Sequence, residues 1–327
     1  MEILNTRELK RRGAALAGGF RRETGKLVLV YCGVLALLSM GSSGLNLLLE
    51  SRIGQTGGLG GLGMRSVLQT VQTILDFVNL FFSPFWSAGF LLAMLAMVRG
   101  TAPRVEMLTG GFRRFGRILG GLAFEYLAVI ALTIAAVNLG SILFAMTAAG
   151  RELTAQLEPL MADPNFFTPE GAVNLEMLPV ESLTQAALPL AAMTGVTLVP
   201  MLIWLGYGFR MAMYLMMERP IGGIRAHMES IRLMRGHKWQ IFKLDLRFWW
   251  YYLLGAAVTC VGYLDVILGL LGIAVPIHST VLFFGTLAVY FVLQTALCLW
   301  KKCEVDGAYV LAFEEIAYPE EVPAETE

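Results

Sequence analysis

Apolar positions in this chain gather into long continuous runs and show none of the alternation of a strand. Six runs approach the ~20 residues that cross ~30 Å of hydrocarbon at ~1.5 Å per helical residue. They cover about Leu27 to Leu49, Phe77 to Val98, Ile118 to Met146, Leu188 to Met213, Phe248 to Leu271 and Thr280 to Leu299. The second has an alternative start near Val67, as an interfacial turn carrying Asp76. Pro84, Pro189 and Pro200 lie inside runs, where membrane bundles tolerate them. The expected fold is all-α: a polytopic helical membrane protein with about six transmembrane helices. Residues 1–318 form one integral membrane domain, followed by an acidic disordered tail over 319–327.

Polar residues between the runs add an orientation. The segments before the first run, between the second and third, between the fourth and fifth, and after the sixth carry 21 Lys and Arg; the alternate segments carry 3. By the positive-inside rule both termini are cytoplasmic. The acidic stretch 150–185 is then an outer loop, and "DPNFFTPEGAVN" within it reads as turns. "GQTGGLGGLG" reads as a flexible glycine linker, and "AVPIHS" as the tight link of an antiparallel hairpin.

Helical spacing continues into the basic segments. Leu9, Gly13, Leu16 and Phe20 make one stripe, and Asn5 with Glu8 fits a capping box. Ile224, Met228, Ile231 and Met234 make another, beside Arg225, Arg232 and Arg235. Gly236 is expected to act as a hinge, after which Trp239, Phe242 and Leu246 lead into "FWWYYLL". Such amphipathic helices lie in the headgroup plane, with arginine toward anionic lipid and aromatics at the boundary. "GGFRR" occurs at Gly18–Arg22 and Gly110–Arg114, each time before a run, and "RLMRGHK" is a looser third copy. The recurrence suggests three repeated helix-hairpin units.

Composition agrees with the class: of 327 residues, 56% are hydrophobic and 15% charged, with mean hydropathy +0.64. A soluble domain has about 25% charged residues. The four cysteines include no C-x-x-C pair, and Cys32, Cys260 and Cys298 read as buried reduced thiols. His227 and His237 are ten residues apart, which puts them on different helical faces, so no metal set forms. Nucleotide-binding and hydrolase motifs are missing from the sequence, so neither a cofactor nor an enzymatic role is expected. Nucleic acid is not an expected partner either, because the basic segments run directly into the apolar runs.

Candidate chemistry comes from these patterns. Arg21, Arg22, Arg113, Arg114, Arg232, Arg235, Lys238 and Trp239 are candidate contacts for anionic lipid headgroups or a membrane or cytoplasmic protein partner. Glu125, Arg210 and Asp265 are polar groups within runs, where charge is costly. They serve either as proton or substrate groups of a transporter or permease subunit, or as structural groups facing a helix bundle. Glu125 and Arg210 both fall toward the inner ends of their runs, which allows an ion pair.

The pattern Tyr214, Pro220, "SIRLMRGHK" over residues 230–238, Phe242, Leu244, Phe248 and Trp249 resembles a bacterial integral membrane family known as domain of unknown function 975. The N-terminal "REL" is also similar, and Tyr309, Phe313 and Glu314 match its closing element in part. The resemblance implies several spans in a bacterial cytoplasmic membrane and assigns no activity. The family is distantly similar to the membrane domain of some glycerophosphodiester phosphodiesterases, which implies a further role as a membrane anchor for such an enzyme.

Overall fold

The computed structural model of the chain describes residues 4–53, 59–163, 166, 180–264, 267–268 and 279–319. Among the described residues there is no strand, and the protein is an all-α polytopic protein. The helices are α1 (Thr6–Gly19), α2 (Arg21–Ile53), α3 (Leu59–Val98), α4 (Phe115–Ala145), α5 (Ala148–Met161), α6 (Val180–Phe209), α7 (Ala212–Glu218), α8 (Gly223–Leu233), α9 (Lys238–Arg247), α10 (Trp249–Gly262), α11 (Ser279–Leu297) and α12 (Cys303–Ala317). A 3-10 segment, Val105–Arg114, precedes α4, and a π-helical turn, Cys298–Lys302, joins α11 to α12.

Five segments among the described residues are long and apolar enough to cross a membrane: Arg21–Ser42, Gln69–Val98, Val105–Ala145, Ser182–Glu218 and Leu282–Ala317. They coincide with five of the six expected runs. Of the remaining run, Trp249–Gly262 is helical as α10, and most of its residues beyond Leu264 lie outside the described residues. The "AVPIHS" link up to His278 and the tail from residue 320 lie outside them as well.

Local differences from the sequence reading have physical reasons. The glycine-rich stretch is not a linker from Leu59 onward, since α3 starts there and runs without a turn through Asp76. A helix already propagating gains a hydrogen bond per residue, which offsets the ~1 kcal/mol that a glycine costs. The expected outer loop contains α5, started by Thr147, whose hydroxyl accepts from the Gly150 amide at 3.1 Å. The capping box at α1 is half made: Asn5 Oδ1 accepts from the Glu8 amide at 3.3 Å, while the Glu8 carboxylate accepts from Arg11 at 2.9 Å. Cys260 is exposed on α10, contrary to expectation; the buried thiols are Cys32, Cys298 and Cys303.

The described residues fall into two compact units, Met1–Gly120 with Met211–Glu327, and Gly121–Arg210. In the smaller, α4 and α6 meet where Gly140 faces Thr194, and the Thr197 hydroxyl donates to the Ala136 carbonyl at 3.0 Å. Most fully buried side chains belong to the larger, among them Phe85, Met94, Met97, Leu108, Met211, Leu215, Phe248 and Phe313.

Two close approaches build that core. The 3-10 segment lies directly on α3: a Cβ at Gly111 would stand 2.0 Å from the Phe85 carbonyl oxygen, and one at Gly89 1.9 Å from that of Leu108. Phe85 stacks on Phe112 and Phe115 at 5.5 and 4.9 Å. On α1, a Cβ at Gly13 would stand 2.8 Å from the Glu304 carbonyl oxygen, so α1 packs on α12. The two "GGFRR" copies therefore do different jobs. Gly111 is sterically required and a Cβ at Gly110 would displace the end of the Leu92 side chain, whereas Gly18 and Gly19 have nothing within 4 Å of an added Cβ.

Candidate functional site: the α8–α9 face and its ion-paired base

The sequence between Arg219 and Phe248 folds as two short helices broken twice. Gly236 has φ +84°, a left-handed conformation that costs other residues ~1–2 kcal/mol, and it separates α8 from α9. His237 Nδ1 lies 3.1 Å from the Leu233 carbonyl at the end of α8. The second break, unforeseen in the sequence, is at Phe248, which is fully buried and leaves helical geometry before α10 begins.

On α8, Gly223, Ala226, His227 and Ser230 are the buried positions. The Ser230 hydroxyl accepts from the Met211 amide at 3.1 Å, and His227 Nδ1 lies 2.9 Å from the Gly223 carbonyl. The buried positions of α9 are Ile241 and Leu244. Outward, Ile224 (57% exposed), Met228 (49%), Trp239 (61%) and Leu246 (52%) are large apolar side chains left uncovered. Arg225, Arg232, Arg235 and Lys243 are exposed alongside them. Trp239 stacks on Phe242 at 5.1 Å, with the Lys243 ammonium 5.7 Å from the indole. Met234, expected in one apolar stripe with Ile224 and Met228, is fully buried while those two are exposed.

This face rests on ion pairs. The Arg99 guanidinium donates to Glu314 at 2.9 Å and also to Glu218, joining the end of α3 to α7 and α12. Burial pulls its pKa down, and the two carboxylates more than offset that, so it stands above its ordinary value. Arg219 pairs with Glu229 and lies over the Tyr318 ring at 5.4 Å, and Arg117 donates to the Arg219 carbonyl at 3.1 Å. Lys10 of α1 donates to the Arg247 carbonyl at 3.2 Å and sits 5.2 Å over Phe248, while Arg247 donates to Thr6 at 2.7 Å. Tyr309 donates to Asp245, and its oxygen is 2.7 Å from that of Tyr252.

The expected contact residues are distributed over three places. Arg232, Arg235, Lys238 and Trp239 share the α8–α9 face, where burial lowers the Lys238 pKa. Arg21 and Arg22 are exposed at the start of α2. Arg113 is exposed at the end of the 3-10 segment, and Arg114 is half-buried with Nη1 3.5 Å from the Gly110 carbonyl. Glu125 on α4 and Arg210 after α6 lie on the surface of the chain, and Asp265 lies outside the described residues.

One polar cluster escaped the sequence reading. Lys302, one of the basic residues after the sixth run, pairs with Asp306 at 2.9 Å and lies 5.3 Å over Tyr31 and 4.8 Å over Phe90. Tyr31 in turn bonds Ser87 at 3.0 Å. The available signal was the i, i+4 spacing of Lys302 and Asp306, continuing an apolar run past its expected end. Among the described residues no group of three His, Cys, Asp or Glu is disposed to hold a metal ion.

The family of proteins described as "Protein of unknown function (DUF975)" matches residues 27–297. The chain belongs to that family. Neither a curated protein nor a solved structure matches it. The DUF975 match ends before α12, yet α12 holds partners of the residues that carry the family pattern. Phe313 stacks on Tyr214 at 5.1 Å, and Tyr309 lies 6.4 Å from Phe248.

Proposed function

We propose that this protein is a non-enzymatic component of a bacterial cytoplasmic membrane that engages anionic lipid headgroups, and partner proteins gathered there, through α8 and α9. The observation that carries this reading is the uncovered set Ile224, Met228, Trp239 and Leu246 beside exposed Arg225, Arg232 and Arg235. The opposite sides of both helices are already used in the core. An apolar face bordered by cations is suited to the headgroup boundary, where each basic side chain contributes about 1 kcal/mol toward anionic lipid. Arg21, Arg22, Arg113 and Arg114 add to the same field. In this reading both termini are cytoplasmic, in keeping with the distribution of Lys and Arg.

The test uses the full chain in detergent, captured on beads coated with phosphatidylglycerol or phosphatidylcholine. Arg232→Gln with Arg235→Gln should weaken capture on phosphatidylglycerol by about 30-fold, in line with two lost basic contacts. Equal capture by the variant and the parent removes this reading. Reporter fusions at residues 160 and 319 check topology, and activity of an outside-only reporter at residue 319 contradicts it.

A transporter or permease reading draws on a different observation, the Lys302–Asp306 pair within the candidate span Leu282–Ala317. It expects Asp306→Asn to abolish a proton flux, read with a pH-sensitive dye in proteoliposomes. Parental flux in the variant dissociates the pair from any transport.

A further inference from the structure

We infer that α1, α3 and α12 hold one acyl chain of an anionic phospholipid, with its phosphate on Arg12. Along one face of α1, Arg12, Ala15, Leu16 and Gly19, with Phe20 just beyond, border an open groove of about 360 Å³ that Val98 and Leu311 flank. That volume is at the lower end of the ~300–1,000 Å³ typical of small-molecule sites.

The groove originates in the sequence of α1. Gly13 draws the helix to within backbone contact of α12. On the groove's side of α1 the positions Ala15 and Gly19 are small, and an added Cβ at Gly19 would find nothing within 4 Å. The two helices are in backbone contact at Gly13, while the space beside Gly19, within the groove, is left open.

Placement and charge select the occupant. One wall ends at Phe20, immediately before the candidate span Arg21–Ser42, and another at Val98, the last residue of the span Gln69–Val98. The apolar end of the groove thus opens where two spans meet the membrane boundary, and the other end carries a guanidinium. Arg12 gives one bond, 2.8 Å, to Glu315, and both side chains remain partly exposed. A guanidinium has five N–H donors, so donors remain for a phosphate oxygen. Arg21 and Arg22, exposed one turn beyond the groove, make the surroundings favourable to an anion. A chain of phosphatidylglycerol type fits these features, with methylenes between Leu16, Phe20 and Leu311 and headgroup at Arg12.

This inference rests on the reading that this end of the molecule lies at a membrane surface, and its test is separable from the test of α8–α9. The full chain in detergent is titrated with dioleoyl phosphatidylglycerol, and bound lipids are counted by native mass spectrometry. One lipid should be retained at least tenfold more tightly than the rest. Ala15→Trp and Gly19→Leu, both at open positions of a helix, should abolish that retention while leaving thermal unfolding unchanged. Arg12→Gln should bring retention of phosphatidylglycerol down to that of dioleoyl phosphatidylcholine. Unchanged retention in Ala15→Trp and Gly19→Leu overturns the groove. Equal retention of the two lipids by the parent chain overturns the assignment of the headgroup. Loss of bead capture in Arg232→Gln/Arg235→Gln with intact lipid retention leaves the groove standing on its own.

Discussion

A methyl group added at Gly111 would meet the Phe85 carbonyl oxygen at 2.0 Å, a backbone atom with no flexible end to move. Gly111→Ala is therefore expected to destabilise by about 1–3 kcal/mol, the range of overpacked cores. Gly18→Ala, the same change in the other "GGFRR" copy, should be neutral or slightly stabilising. Thermal unfolding of both variants in one detergent measures the contrast, and equal shifts would dissolve it. Tyr309 gives a second case. Its hydroxyl serves Asp245 and Tyr252 together, so Tyr309→Phe leaves a carboxylate oxygen short of a donor, at a cost of about 1–3 kcal/mol. Tyr252→Phe should cost less, because the Tyr309–Asp245 bond survives, and the difference in unfolding temperature between the two variants reads that order.

At the scale of elements, hydropathy made the long helices legible because a run of ~20 apolar residues has few other solutions. Gly236 was legible for a similar reason: a glycine between two stripes of different phase marks a joint, and the backbone there has φ +84°. Other features depended on partners distant in sequence. Nothing near Phe248 announces a break; it is stabilised by burial of the ring and by Lys10 above it. Met234 belongs to the helical stripe of Ile224 and Met228, yet α8 ends at Leu233, so Met234 turns inward. Arg99, Arg219, Glu218 and Glu314 were legible only as charges between spans, because their pairing crosses more than a hundred residues in places. The Arg99 pairing predicts a coupling between elements. Arg99→Gln should destabilise by about 1–2 kcal/mol, moderated by its half-exposed position. Adding Glu314→Gln should recover part of that loss, because one carboxylate no longer lacks a counter-charge. A double-mutant cycle on urea midpoints measures the coupling, and strict additivity would contradict it.

For the whole molecule, the important observation is that helices from both chain ends help make one core. Leu9 and Gly13 of α1, Phe248 after α9, and Val305, Ala308, Tyr309, Phe313 and Ile316 of α12 are all buried in the larger unit. Truncation after Lys302 is accordingly expected to abolish monodisperse behaviour in size-exclusion chromatography, although it keeps every residue matched by the family. Truncation after Tyr318 should leave elution and unfolding unchanged, since α12 ends at Ala317. If the shorter chain eluted like the longer one, α12 would be dispensable to the core.

The seat of Gly13 on the Glu304 backbone also sets a timetable. During synthesis α1 leaves the ribosome long before its packing surface on α12 has been made. At about 5–20 residues per second, tens of seconds separate the two. Throughout that interval Leu9 and its neighbours have no native cover, so a nascent chain must shelter α1 at the bilayer surface or with a chaperone until α12 has been made. Closure of this core then waits for α12, and a chain stalled before Cys303 presents α1 without its native cover to the cell's quality control.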